Sequence, residues 1–172
     1  MNYIIVDSRE KPQAIGGILR FFNSHGYEYE VSKLLFGDYM DYNNPSVVID
    51  RKQCIGELAK NCTSEHDRFR RELERVKKVG AHLVILVEQN RYMDQGEWVH
   101  VEKIEDLSRW SSPYTVTTGL KVFRILDSWQ KKYPISFVFC DKKSTGKAIT
   151  DILYPFENQG LCNMCKKNVK SH

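Results

Sequence analysis

Asp38, Asp50 and Lys52 flank the turn Asn43-Asn44-Pro45, and the two acids lie symmetrically about Asn44. An odd loop centred there closes an antiparallel hairpin that sets 42 against 46, 40 against 48 and 38 against 50, which brings two carboxylates together. Lys52 joins them on the same face because side chains alternate along a strand. Opposed like charges repel, so the pairing is locally unfavourable, and the natural remedy is a divalent cation between the acids. Carboxylates holding Mg²⁺ or Mn²⁺ would let the ion polarise a phosphate and make bound water a better nucleophile, so the constellation reads as a metal-dependent phosphodiesterase. The backbone carbonyl of Arg51 is a candidate third ligand. Lys52 could hold or help deprotonate the water, or offset charge developing on the phosphate. An ordinary hairpin with surface acids would use the same three residues, since an acid followed two positions later by lysine is common.

The elements that must position these groups can be read from periodicity. Residues 3–7, Tyr-Ile-Ile-Val-Asp, form a short branched run that predicts a buried strand ending at Asp7. Pro12 opens a helix carrying Ile15, Ile18, Leu19 and Phe22 at helical spacing, and Gly26 stands where a left-handed cap would stop it. Tyr27 to Phe36 and Val47 to Ile49 predict further strands, and Ile55 to Asn61 a short helix. Ser64 or Asp67 caps a longer helix to about Val79, with Phe69, Leu73 and Val76 as its apolar stripe, and Gly80 ends it. The run His82 to Glu88 is the most hydrophobic in the chain and predicts a central strand covered on both faces. A helix from near Ser112 to Lys132 with Pro113 in its first turn, a strand Ile135 to Cys140 and a helix Thr145 to Leu153 complete the series. The fold class expected is α/β, a mixed central sheet flanked by helices. The polar segment Gln89 to Gly96 reads as a surface loop with no role specified.

The chain has 172 residues and 41% hydrophobic content, which suits one compact domain, expected over 1–155, with a short basic tail at 156–172. No apolar segment approaches a membrane span and no leader pattern opens the sequence, so the expected setting is cytoplasmic, with no membrane partner. The cysteines number five, an odd count, and most lie within patterned elements, which argues against a disulfide framework. The formal net charge of +4 permits a polyanionic partner without demanding one. Its distribution says more: basic residues gather at Arg68 to Lys78, Lys142 to Lys147 and Lys166 to Lys170, and solvated helix faces explain any one cluster equally well.

Several motifs occur in order: Val6-Asp7-Ser8-Arg9-Glu10, Phe36-Gly37-Asp38-Tyr39, Val48-Ile49-Asp50-Arg51-Lys52, Glu57-Leu58, Asp67-Arg68-Phe69-Arg70-Arg71-Glu72-Leu73, and the strand ending at Glu88. In order and rough spacing they resemble the XPF-type nuclease domain, whose fold is restriction-endonuclease-like, over residues 3–90 and more loosely to about 154. The resemblance implies Asp38 and Asp50 as metal ligands, Lys52 as the catalytic lysine and Asp7 as a nearby acid. It also places Arg9, Glu10, Arg51 and Arg68 along the cleft. Two departures stand out: Asp50 replaces the usual glutamate, shortening the reach to the metal by one methylene, and Glu57 takes the later acid's place one residue further along. The alternatives are an acid capping the turn before Pro12 for Asp7, and a helix-surface ion pair for Arg68 and Glu72 at i, i+4.

What the resemblance implies is a Mg²⁺-dependent endonuclease acting on flapped, branched or junction DNA, with Mn²⁺ as a substitute. The chain looks like a minimal bacterial or phage form, without room for a helix-hairpin-helix module, and a homodimer accords with the family. Arg68, Arg70, Arg71 and Arg75 would then make sequence-neutral, salt-sensitive phosphate contacts. An alternative is a nuclease-like domain that binds nucleic acid without cutting it, although the intact Asp38, Asp50 and Lys52 argue against decay. A third reading rests on Cys162-Asn-Met-Cys165, which has the spacing of half a structural Zn²⁺ site, with His172 and Cys140 as candidate further ligands. Two reduced cysteines in a tail account for the same pattern, and a zinc-stabilised adaptor would be its functional form.

Overall fold

The computed structural model describes residues 2–155. The expected tail, with Cys162, Cys165, His172 and the zinc reading that depends on them, lies outside the described residues. The chain order is β1 (Tyr3–Asp7), α1 (Pro12–Ser24), β2 (Glu28–Ser32), β3 (Tyr39–Asp41), β4 (Val47–Lys52), α2 (Ile55–Asn61), α3 (His66–Val79) and β5 (His82–Val87). There follow β6 (Arg91–Asp94), β7 (Glu97–His100), a 3₁₀ helix (Ile104–Arg109), α4 (Gly119–Lys132), β8 (Ile135–Phe139), a 3₁₀ turn (Lys142–Ser144) and α5 (Thr145–Leu153).

Six strands form one mixed sheet in the order β2-β1-β3-β4-β5-β8. β3 runs antiparallel to both β1 and β4, whereas β1 with β2, β4 with β5, and β5 with β8 are parallel. Alternation along each strand divides the apolar side chains between two faces. Val48, Leu83, Ile85 and Val87 pack beneath α2, α3 and α4, while Ile4, Val6, Tyr39, Ile49, Val84 and Leu86 pack beneath α1 and α5. The central strand β5 is buried on both sides, as its unbroken apolar run requires. Among the described residues no helix is long and apolar enough to cross a membrane.

Helix ends follow their local chemistry. Pro12 starts α1, where the missing N–H has no intrahelical partner to lose, and Gly80 ends α3 in the left-handed conformation at φ 74°. Three expectations need correction. The strand expected over Tyr27 to Phe36 keeps only Glu28–Ser32, because the Leu34 amide leaves the sheet to bind the Asp7 carboxylate and Phe36 turns into the core under α2 and α3. The helix expected from Ser112 begins at Gly119, where the Thr118 hydroxyl accepts from the Lys121 amide. Pro113 instead lies in a loop whose ends are clipped by Gly119 N–H donating to the Trp110 carbonyl at 2.8 Å. A side chain at position 119 would put Cβ 2.6 Å from Trp110 N, so only glycine allows this closure.

The third correction concerns Gln89 to Gly96, which is not a plain loop. β6 and β7 form a hairpin with Asp94 opposite Glu97, turning on Gln95 and Gly96 at φ 47° and 88°. Two central residues with positive φ are what a two-residue hairpin turn of matching twist demands.

Candidate active site

The hairpin register is the one the symmetry about Asn44 predicts: Met40 pairs with Val48 and Tyr39 with Ile49. Asp38 lies one step beyond the ladder and donates its N–H to the Ile49 carbonyl at 2.7 Å. Gly37, at φ 69°, makes that approach possible, since a Cβ there would strike the Val48 side chain and lie 3.0 Å from the Ile49 carbonyl oxygen. The Asp38 carboxylate accepts from the Arg51 amide at 2.7 Å, which fixes it over the end of β4. Asp7 braces the same point from the other side, its N–H donating to the Asp38 carbonyl at 2.8 Å.

Asp38, Asp50 and Lys52 therefore converge on the α2/α3 face of the sheet. Lys52 Nζ lies 2.8 Å from Asp50 Oδ2 and 5.8 Å from the centre of the Phe69 ring. Burial, with the charge of Asp50 and a hydrogen bond to its side chain, pushes the Asp38 carboxyl up to about 8. Burial would by itself lower the Lys52 pKa, but the negative charges of Asp50 and Asp38 outweigh it and hold the ammonium charged. With Asp38 holding its proton, the Asp50 carboxylate and the Lys52 ammonium balance each other, so a cation entering the site would take the place of that proton.

This donor set suits a small hard cation. Asp38 and Asp50 would supply one oxygen each, and the Arg51 carbonyl lies on their side: the Ser46 and Lys52 carbonyls serve the β5 edge, whereas that of Ile49, two residues before Arg51, accepts from Asp38. Among the described residues no three His, Cys, Asp or Glu side chains converge on one point. Two carboxylates with water and phosphate oxygens completing the shell is the usual arrangement for Mg²⁺, which dehydrates reluctantly.

The other expected residues are placed as follows in the fold. Asp7 is fully buried, and its oxygens accept from the Arg9 amide, Arg9 Nε at 2.7 Å, Arg9 Nη2 and the Leu34 amide. Burial pulls its pKa up, yet these donors overcome that and leave it below the ordinary carboxylate range. With both oxygens occupied, the nearby acid Asp7 orients Arg9. The Arg9 side chain is 60% exposed and feels Asp38 and Glu72, so it stands at the mouth of the site.

Glu10 and Arg51 do not line the cleft, against expectation, because Arg51 projects to the opposite face of β4. Its guanidinium donates to both Glu10 oxygens, at 3.1 and 2.6 Å, and to Glu88 at 2.9 Å, with all three side chains buried. Arg68, Arg70 and Arg71 lie exposed on α3, and Arg68 pairs with Glu65 at 3.8 Å. Glu57, in the first turn of α2, accepts from the Gln53 amide at 2.7 Å and acts electrostatically on Lys52. Cys140, a candidate zinc ligand, is buried against Thr145 in the α1/α5 core.

Glu72 is the site residue the sequence reading missed. It does not pair with Arg68. It turns inward, accepts from the Gly37 amide and lies close enough to Asp50 and Lys52 for their charges to act on it, its pKa raised by burial and by Asp50. The available signal was its place between Phe69 and Leu73 on the buried stripe of α3, where a carboxylate needs a polar reason to be.

Solved structures with the same fold include XPF from Aeropyrum pernix, alone and in complex with DNA. Each is 18% identical to this chain with a TM-score of 0.62; the matches cover 92% and 95% of the chain, and the chain spans about two thirds of those proteins, 66% for the DNA complex and 69% for the other. No curated protein matches the sequence. The family described as the ERCC4 domain matches residues 6–148, a span that holds Asp7, Asp38, Asp50, Lys52 and Glu72, and the chain belongs to that family of XPF-type nuclease domains.

Proposed function

We propose that this protein is a Mg²⁺-dependent endonuclease that hydrolyses DNA phosphodiesters at a flap, junction or other branched structure. The observation that carries the reading is the meeting of the Asp38 and Asp50 carboxyls with Lys52 Nζ 2.8 Å from Asp50. Asp38, Asp50 and the Arg51 carbonyl would hold the ion, and Mn²⁺ would fit the same oxygens. When bound, the metal polarises the phosphate and acidifies water. Lys52, held charged by Asp50, faces the negative charge that develops on the phosphate during attack. Arg9, held by Asp7 through two side-chain hydrogen bonds, presents a fixed guanidinium to a phosphate at the mouth of the site. Arg68, Arg70 and Arg71 supply a sequence-neutral grip along the exposed side of α3. The DNA-bound relative from Aeropyrum pernix supports the choice of polymer.

The decisive assay incubates wild-type protein and Asp50→Asn with labelled duplex, single-stranded, flap and junction DNAs in Mg²⁺, Mn²⁺ or chelator. Wild type should cut only with metal and prefer a branched substrate. Asp50→Asn should lose cleavage by about a thousandfold or more while retaining DNA affinity, since it removes charge from the metal site without touching the basic helix. Equal cutting by the variant, or cutting in chelator, would remove these residues from the mechanism. Binding without cutting by wild type would make the chain a non-catalytic DNA-binding relative.

A further inference from the structure

We infer that the cleft between α2 and the β6–β7 hairpin binds an unpaired DNA strand leading to or from the reaction site. The inference rests on the nuclease reading for its polymer and on a separate set of residues for its geometry. The cleft has a volume of about 830 Å³ and counts Lys52 among its lining residues, so a chain held in it would lie beside a phosphate at the site. That volume lies within the range of sites that enclose organic ligands.

Its walls combine the two things a single strand offers, flat bases and regularly spaced phosphates. Trp98 and Tyr114 line it with side chains 62% and 93% exposed, although both would be better buried. Exposed rings of this size mark a surface awaiting a partner. Arg91 already lies on Trp98, 4.7 Å from the ring, which sets a guanidinium beside an aromatic platform. Lys60 and Arg68 also line it; Arg68 pairs with Glu65, so Lys60 supplies the positive charge that no ion pair among the described residues engages. The two carboxylates in the lining are engaged: Glu57 by the Gln53 amide, and Glu65 by Arg68 and Asn61.

The platform is mounted on fixed parts. Tyr92, between Arg91 and Met93 on β6, is buried and donates its hydroxyl to the Asp106 carbonyl at 2.7 Å, tying the hairpin to the 3₁₀ helix. The loop that carries Tyr114 is clipped at its base by the bond between Gly119 and Trp110. Rings held in place by the fold bind at lower entropic cost than rings on a loose loop. A fully paired duplex keeps the faces of its bases stacked on one another, so the rings can engage only bases that have left the helix. This selects the unpaired arm of a flap or fork as the occupant, and it gives the site a physical basis for choosing branched over plain DNA.

The test measures affinity in chelator, where nothing is cut, for a labelled oligothymidylate and a blunt duplex. Trp98→Ala and Tyr114→Ala should each weaken oligothymidylate binding by about 5- to 100-fold, as expected for loss of one base stack, and change duplex binding by less than about twofold. Trp98→Phe, which restores a ring, should recover most of the loss. Alanine variants that bind the oligothymidylate like wild type, or that lose both DNAs equally, would overturn the inference. Single-strand binding that depends on Trp98 in a chain that cuts no DNA would uphold the cleft and remove the nuclease reading. Normal metal-dependent cleavage of a flap at the wild-type rate by both alanine variants would do the reverse.

Discussion

The two faces of β4 carry the same formal charge in opposite states of satisfaction. On the α1/α5 face Arg51 stands between Glu10 and Glu88, two acids and one base, and its fork donates to both. On the α2/α3 face Asp38 and Asp50 stand with Lys52, again two acids and one base before Glu72 is counted, but the acids crowd each other and the ammonium pairs with Asp50. A guanidinium can bridge two carboxylates at once because it presents several donors in a plane, whereas an ammonium is a point charge on a flexible stem. The first arrangement is closed and structural. The second relieves the repulsion of its acids with a proton that a cation could replace, and on the proposed nuclease reading that contrast marks the reactive face better than acid count does.

The comparison can be broken most forcefully on the closed side. Arg51→Ala strands Glu10 and Glu88 in a buried pocket, and urea unfolding should show a loss of about 3–5 kcal/mol. A loss under about 1 kcal/mol would show that the network is not what holds the β1, β4 and β5 ends together. Next comes Gly37→Ala, which strains a left-handed residue and pushes a methyl into Val48, with an expected loss of about 1–3 kcal/mol. Because it displaces Asp38 from Asp50, cleavage should fall further than stability alone explains; cleavage that merely tracks the folded fraction would detach Gly37 from the site.

The smallest effect tests the open side through protons. Asp38 has a folded pKa near 8 against an ordinary 3.8, so the metal-free fold binds that proton more tightly than the unfolded chain does. Its contribution is therefore fully present below about pH 4 and declines as the pH rises toward about 8. Asp38→Asn abolishes the decline. In chelator, the variant should gain on wild type by about 1 kcal/mol or more between about pH 5 and about pH 8, measured from urea midpoints. Parallel curves across that window would mean that the fold does not hold the Asp38 proton above the ordinary carboxylate range.

Much of this was legible in the sequence because it depends on period and punctuation. The centre of symmetry at Asn44 predicts the two pairs observed, Met40 with Val48 and Tyr39 with Ile49, which bring Asp38 just beyond the ladder and near Asp50, and α2 and α5 begin and end where their apolar spacing places them. What was hidden depends on partners remote in the chain. Asp7 reads in the sequence as an acid near the site or a turn cap, and only the fold shows the Leu34 amide and Arg9 filling its oxygens; Arg51 looked like a cleft residue because adjacency to Asp50 conceals that it faces the other way. Glu72 was masked by a nearby arginine at helical spacing, and the structure shows that the stripe it occupies mattered more than the charge beside it. The Gln95-Gly96 hairpin was missed because its strands are short and polar, although Tyr92 and Val99 face each other across it.

The Arg51 clamp also sets an order of assembly. Glu10, Arg51 and Glu88 come from three stretches of chain, and the guanidinium cannot be buried until the last has been synthesised and docked. A nascent chain that has emerged only as far as the Asp50 strand holds Asp7, Asp38 and Asp50 yet lacks both Glu72 and the neighbour that seats that strand, so the ability to cut should appear late, with the arrival of β5.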